Sequence, residues 1–138
     1  MNSYDVLKFK IYPWWKTKGK RADDYFLVCY TKNRVDMYHY ARSLKKDGVH
    51  ASFHGKWHAQ VVATDNMKDK HCKGFVFFDS KSIKDPAEVA HELIHVCQFY
   101  FSRWVFPLCM TTMSPYHETF THSHTFMMKR ILEEAKKL

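Results

Sequence analysis

The chain has 138 residues, 46% hydrophobic and 17% aromatic, which is apolar mass for one self-sufficient core and too little length for a second. Its 22 Lys and Arg exceed its 14 Asp and Glu, giving a formal charge of +8, but they fall in short scattered groups that read as a solubilising surface, so nucleic acid is admitted as a partner without being favoured. Four cysteines lack the C-x-x-C spacing of zinc ribbons and thioredoxins, and no apolar run approaches the roughly 18 residues of a membrane span, so reduced thiols and a cytoplasmic protein are expected.

Residues 4–12 alternate through Val6, Phe9 and Ile11 as an edge strand does, and 13–21 read as a loop. Residues 24–31, rich in β-formers and bounded by charge, predict a buried strand. Asn33 can cap a helix to about residue 46, because Val35, Tyr38 and Ala41 recur at helical spacing and Gly48 supplies a stop. A strand over 50–64, bent at Gly55, and another over 74–79 follow. In the second, Phe75, Val76, Phe77 and Phe78 run together like a strand covered on both faces.

Asp85-Pro86-Ala87-Glu88 starts a helix with an aspartate cap, a proline at the first helical position and a glutamate three residues after the cap. That helix should reach about residue 105. Ser114-Pro115 opens a last helix to residue 137, with Lys136 and Lys137 at its negative end. The expected fold is α+β over residues 1–138: a small, mostly antiparallel sheet, an upstream helix, and two long C-terminal helices with a zinc site between them.

His91-Glu92-Leu93-Ile94-His95 is an H-E-x-x-H pattern within the first long helix. Residues four apart project from one helical face, so both imidazoles can reach one tetrahedral zinc, with Glu92 at the edge of that face as general base toward a zinc-activated water. The flanking Val89, Ala90, Leu93, Ile94, Val96 and Cys97 are uncharged, which makes a metal the simplest partner for the three polar side chains. A catalytic zinc takes a third protein ligand. Glu118 and His122, four apart on the last helix, share a face and either can supply it, leaving the other for the reaction.

Residues 89–97 fit the extended zincin pattern, and a strand followed closely by the histidine-bearing helix is similar to the minimal zincin arrangement, in which that strand borders the substrate cleft. From Gly74 to Ile131 the chain resembles small phage-type metallopeptidases of gluzincin character, which carry a segment Glu-Ala-Phe-Ala-Tyr after a short Pro-containing loop. Here Glu118-Thr119-Phe120-Thr121-His122, with Thr125 and Phe126, correspond to it. The resemblance implies a zinc metallopeptidase acting on peptides or proteins, with Glu118 as third ligand, and a host-cytoplasmic protein if the source is viral. His122 departs from the aromatic hydroxyl of such relatives and, like Tyr116, is a candidate for stabilising the oxyanion. His122-Ser123-His124-Thr125-Phe126 is also similar to the His-Gly-x-x-Phe segment of SprT-like DNA-associated proteases, although the glycine is missing and the gap from His95 is long.

Other residues are read more plainly. His117 falls in a first helical turn, His124 lies about 120 degrees around the helix from Glu118, and His50, His54 and His58 alternate as on a strand. Trp14, Trp15, Trp57 and Trp104 suit core anchoring, Met110, Met113, Met127 and Met128 suit packing between helices, and Glu88 suits helix capping, although it lies on the same side as Glu92 and could support a ligand histidine. The rival to hydrolysis is a catalytically silent zinc-containing module that binds a host or nucleic-acid-associated partner.

Overall fold

The computed structural model describes residues 5–14, 19–51, 59–105 and 117–138, apart from the side chains of 117 and 118. In chain order they form β1 (Leu7–Ile11), β2 (Tyr25–Tyr30), α1 (Arg34–Ser43) with a 3-10 turn over Leu44–Asp47, then β3 (Ala59–Ala63) and β4 (Cys72–Phe78). The helices α2 (Ser80–Ile83), α3 (Pro86–Tyr100) with a π-helical turn over Phe101–Val105, and α4 (His117–Ala135) complete the fold. The fold is α+β, with one sheet in the order β1-β2-β4-β3. β1 pairs antiparallel with β2 and β3 antiparallel with β4, while the central pair β2 and β4 is parallel.

Alternation of side chains across this sheet builds two cores. Phe26, Val28 and Tyr30 of β2 and Val76 and Phe78 of β4 pack with Val89, Leu93 and Val96 of α3 and Met127 and Ile131 of α4. Their neighbours Tyr25, Cys29, Phe75 and Phe77 point the other way, onto Met37 and Ala41 of α1. The phenylalanine-rich run of β4 is therefore covered on both faces, as a central strand must be. Both edge strands are thinner: β1 buries only Phe9 and Ile11.

Local chemistry sets the element ends. Asn33 accepts a hydrogen bond from the Asp36 amide and caps α1, and Gly48 at φ 82 ends the 3-10 turn in the left-handed conformation that glycine tolerates. Asp85 caps α3 by accepting from the Ala87 amide, with Pro86 in the first turn. One helix is additional to the sequence reading: Asp79 and Ser82 form a reciprocal capping box that turns the chain through α2 immediately after β4. The expected helix to residue 105 is α-helical to Tyr100 and π-helical beyond it. The expected strand over 50–64 is regular over Ala59–Ala63, and Gly55, His54, His58, Trp57 and Ser114-Pro115 lie outside the described residues.

Gly74 joins β3 to β4 at close quarters. A Cβ there would lie 2.3 Å from the Val62 carbonyl oxygen and 2.8 Å from Phe26 Cε2, so only a residue without a side chain lets β3 sit at this distance. Its position matters because β3 forms one wall of the candidate site.

Candidate metal centre and cleft

The face of α3 pressed on the sheet carries Val89, Leu93, Val96, Cys97 and Tyr100, all at 0% exposure. Rotation by one residue from that stripe brings Glu88, Glu92, His95 and Phe99 into a row along the flank, since each follows the last by three or four residues. They and His91 line a cavity of about 590 Å³, whose opposite wall is Ala59, Gln60 and Val61 of β3.

His91 and His95 point their Nε2 atoms at each other across 3.2 Å, with ring centroids 4.9 Å apart. Two nitrogens bound at about 2.0–2.1 Å to one tetrahedral zinc stand about 3.3 Å apart. The pair thus fits a shared zinc. Phe99, one turn further, stacks on the His95 ring at 6.3 Å and 25°, and the Arg103 guanidinium lies 5.8 Å from the Phe99 centroid. This ladder at intervals of four holds the His95 plane in place.

Glu92 is 7% exposed and lines the same cavity. Burial raises its carboxyl above the usual glutamate range, the neighbouring His91 lowers it in part, and the charge of Glu88 adds to the rise. No described residue donates a hydrogen bond to it, so the buried carboxylate is free to take a proton in the cleft.

Among the described residues no third His, Cys, Asp or Glu joins the histidine pair as a metal-holding group. Glu118 is in the first turn of α4, and its side chain, like the whole of Tyr116, lies outside what is described. His122 is exposed on α4 and is not among the residues lining the cavity. His124 is occupied elsewhere: its ring N–H donates to the Ala90 carbonyl at 3.0 Å and ties α4 to α3 one residue before the motif. Ser123, buried beside it, donates to the Pro13 carbonyl at 2.5 Å and lies 3.7 Å from Cys97 Sγ.

Among the described residues β3 has one unpaired edge. The Thr64 amide donates to the Lys73 carbonyl at 3.0 Å, which identifies 64 with 73 as a hydrogen-bonded pair. Counting back along the register, Val62 and Gln60 bond to β4, while Val61 and Ala59 turn their amide and carbonyl groups away from it, toward the side on which no described strand lies. The sequence did not single out β3, Asp85 or Phe99 as lining residues. The expectation that the strand just before the histidine-bearing helix, β4, borders the cleft is corrected: the lining strand is its antiparallel neighbour β3.

The chain matches no protein-family model, no curated protein and no solved structure. No helix among the described residues is long and apolar enough to cross a membrane.

Proposed function

We propose that the protein is a zinc-dependent hydrolase of peptide or similar amide bonds. The observation that carries this reading is the 3.2 Å approach of the His91 and His95 Nε2 atoms in a cleft that also holds the buried Glu92. His91 and His95 would hold the metal with Glu118 as third ligand, as the resemblance to gluzincin-type peptidases implies. A bound zinc supplies Lewis acidity toward a carbonyl and toward water.

The chain's own groups do the rest. The outward amide and carbonyl groups of Ala59 and Val61 are placed to pair with an extended substrate backbone and lay it along the histidine row. Glu92 takes the proton of the attacking water and passes it to the departing nitrogen. Of the two candidates for donating a hydrogen bond to the oxygen on which charge develops, Tyr116 is preferred, since His122 does not line the cavity. Cys29, Cys72 and Cys97 are free and buried, which suits a reducing, cytoplasmic compartment.

Metal analysis and a Glu92→Gln variant test this together. Stoichiometric zinc in both proteins is expected, with hydrolysis reduced by about 10²–10⁴-fold in the variant. Wild type without zinc, or a variant as active as wild type, would remove the proposal. Zinc without hydrolysis in either protein would leave the silent binding module.

A further inference from the structure

The described lining of the cleft has the opposite sign of charge to the chain as a whole. Asp85, Glu88 and Glu92 line it and no Lys or Arg among the described residues does, in a chain of formal charge +8. The cation adjacent in sequence, Lys84, is turned away and donates to the Leu138 carbonyl at 3.2 Å. Resting on the hydrolase reading above, we propose that this acidic end of the cleft selects a Lys or Arg side chain of the substrate, with Glu88 as its principal partner and Asp85 as the second.

Position along α3 supports the assignment. Asp85 and Glu88 occupy the N-terminal end of the row, His91 and His95 its middle, and Phe99 the far end. From the midpoint of the histidine pair to Glu88 is five residues, or about 7.5 Å at the helical rise of about 1.5 Å. An extended peptide advances about 3.3 Å per residue, so the cation sits about two residues from the bond under attack.

The acceptors are available. One Asp85 oxygen takes the Ala87 amide at 3.0 Å, which leaves the other for a ligand. Glu88 is exposed and lines the cavity, while Glu92 is reserved for the reacting water. A Lys or Arg head group can pair with the Asp85 and Glu88 carboxylates, while an acidic side chain would be repelled by them. The Phe99 ring at the other end offers the corresponding apolar contact.

Binding of fluorescein-labelled decapeptides, identical except for Lys, norleucine or Glu at one central position, tests this by anisotropy in zinc-containing buffer. With Glu92→Gln protein, which prevents turnover, the Lys peptide should bind about tenfold tighter than the norleucine peptide and tighter still than the Glu peptide, and salt should erode the difference. Adding Glu88→Lys should reverse the order, and adding the milder Glu88→Gln should flatten it. Equal affinities, or an order unchanged by either substitution, would overturn the proposal. Cleavage of the same peptides by wild type is read separately. Discrimination without cleavage removes the hydrolase reading and leaves the cationic preference, whereas cleavage without discrimination does the reverse.

Discussion

Asp24 shows how much one buried carboxylate organises at the far end of α3. At 6% exposure it accepts from the Tyr100 hydroxyl at 2.7 Å and meets His71 Nδ1 at 3.1 Å, so the helix that carries the candidate metal site is pinned at its C-terminal end to the start of β2. Tyr100→Phe keeps the ring and removes one donor from a charged acceptor that water reaches poorly. It should destabilise the fold by about 1–3 kcal/mol, read from urea unfolding. The thiols make a second prediction at this scale. Burial pushes Cys29 and Cys97 up to about 12 from an ordinary value of 9.0. Below pH 9 both folded and unfolded thiols are protonated and the contribution to stability is complete. Between 9 and 12 the unfolded chain alone loses these protons, so stability should fall as pH rises through that window. Tyr25 and Tyr100, both raised by burial, act in the same direction. A Cys29→Ala, Cys97→Ala variant should therefore show a shallower decline of the urea midpoint across the alkaline range than wild type.

At the scale of elements, the cleft depends on how closely β3 is held against β4, and Gly74 is where that closeness is decided. Gly74→Ala places a methyl 2.3 Å from the Val62 backbone oxygen, which no side-chain rotation relieves. The strand must retreat, at a cost of about 2–3 kcal/mol, and the β3 wall of the cleft moves with it. The expected outcome is a lower melting temperature together with weaker peptide binding, whereas an exposed change such as Val35→Ala should alter neither. Which elements the sequence disclosed follows from the range of the forces that make them. The Asp85-Pro86 start of α3 and the Asn33 cap of α1 are local hydrogen-bond chemistry, and the run from Phe75 to Phe78 announces burial on both sides. The capping box of α2 is equally local, but it abuts β4 so closely that Asp79 reads as the end of a strand. The π-turn after Tyr100 has no residue signature; its Phe101 and Trp104 pack with the same core as α3. The parallel pairing of β2 with β4 joins segments more than forty residues apart, and no local pattern encodes it. The same division holds in the site. His91, Glu92 and His95 are legible from helical periodicity, but that Glu88 and Phe99 share a cleft with them depends on β3 lying opposite, which only the tertiary fold establishes.

Over the whole molecule, α3 and α4 meet through contacts that leave the metal question to a single added link. His124 on the Ala90 carbonyl, Ser123 against Cys97, and Met127 and Ile131 in the shared core already dock the two helices along one side. A ligand from the first turn of α4 would close the other end and make zinc a cross-link between helices, so that metal binding adds to folding free energy. At free zinc 100-fold above its Kd, stabilisation by mass action is about 2.7 kcal/mol. For a domain of this size about 3 °C of melting temperature corresponds to each kcal/mol, so the rise should be roughly 8 °C and reversible by a chelator. The two candidates for the link then separate cleanly. Glu118→Ala should abolish most of the zinc-dependent rise, because two imidazoles on one helix hold zinc weakly and cross-link nothing. His122→Ala should preserve it. A rise lost in His122→Ala and kept in Glu118→Ala would exchange their roles and give the centre three histidines, leaving Glu118 to act on the substrate.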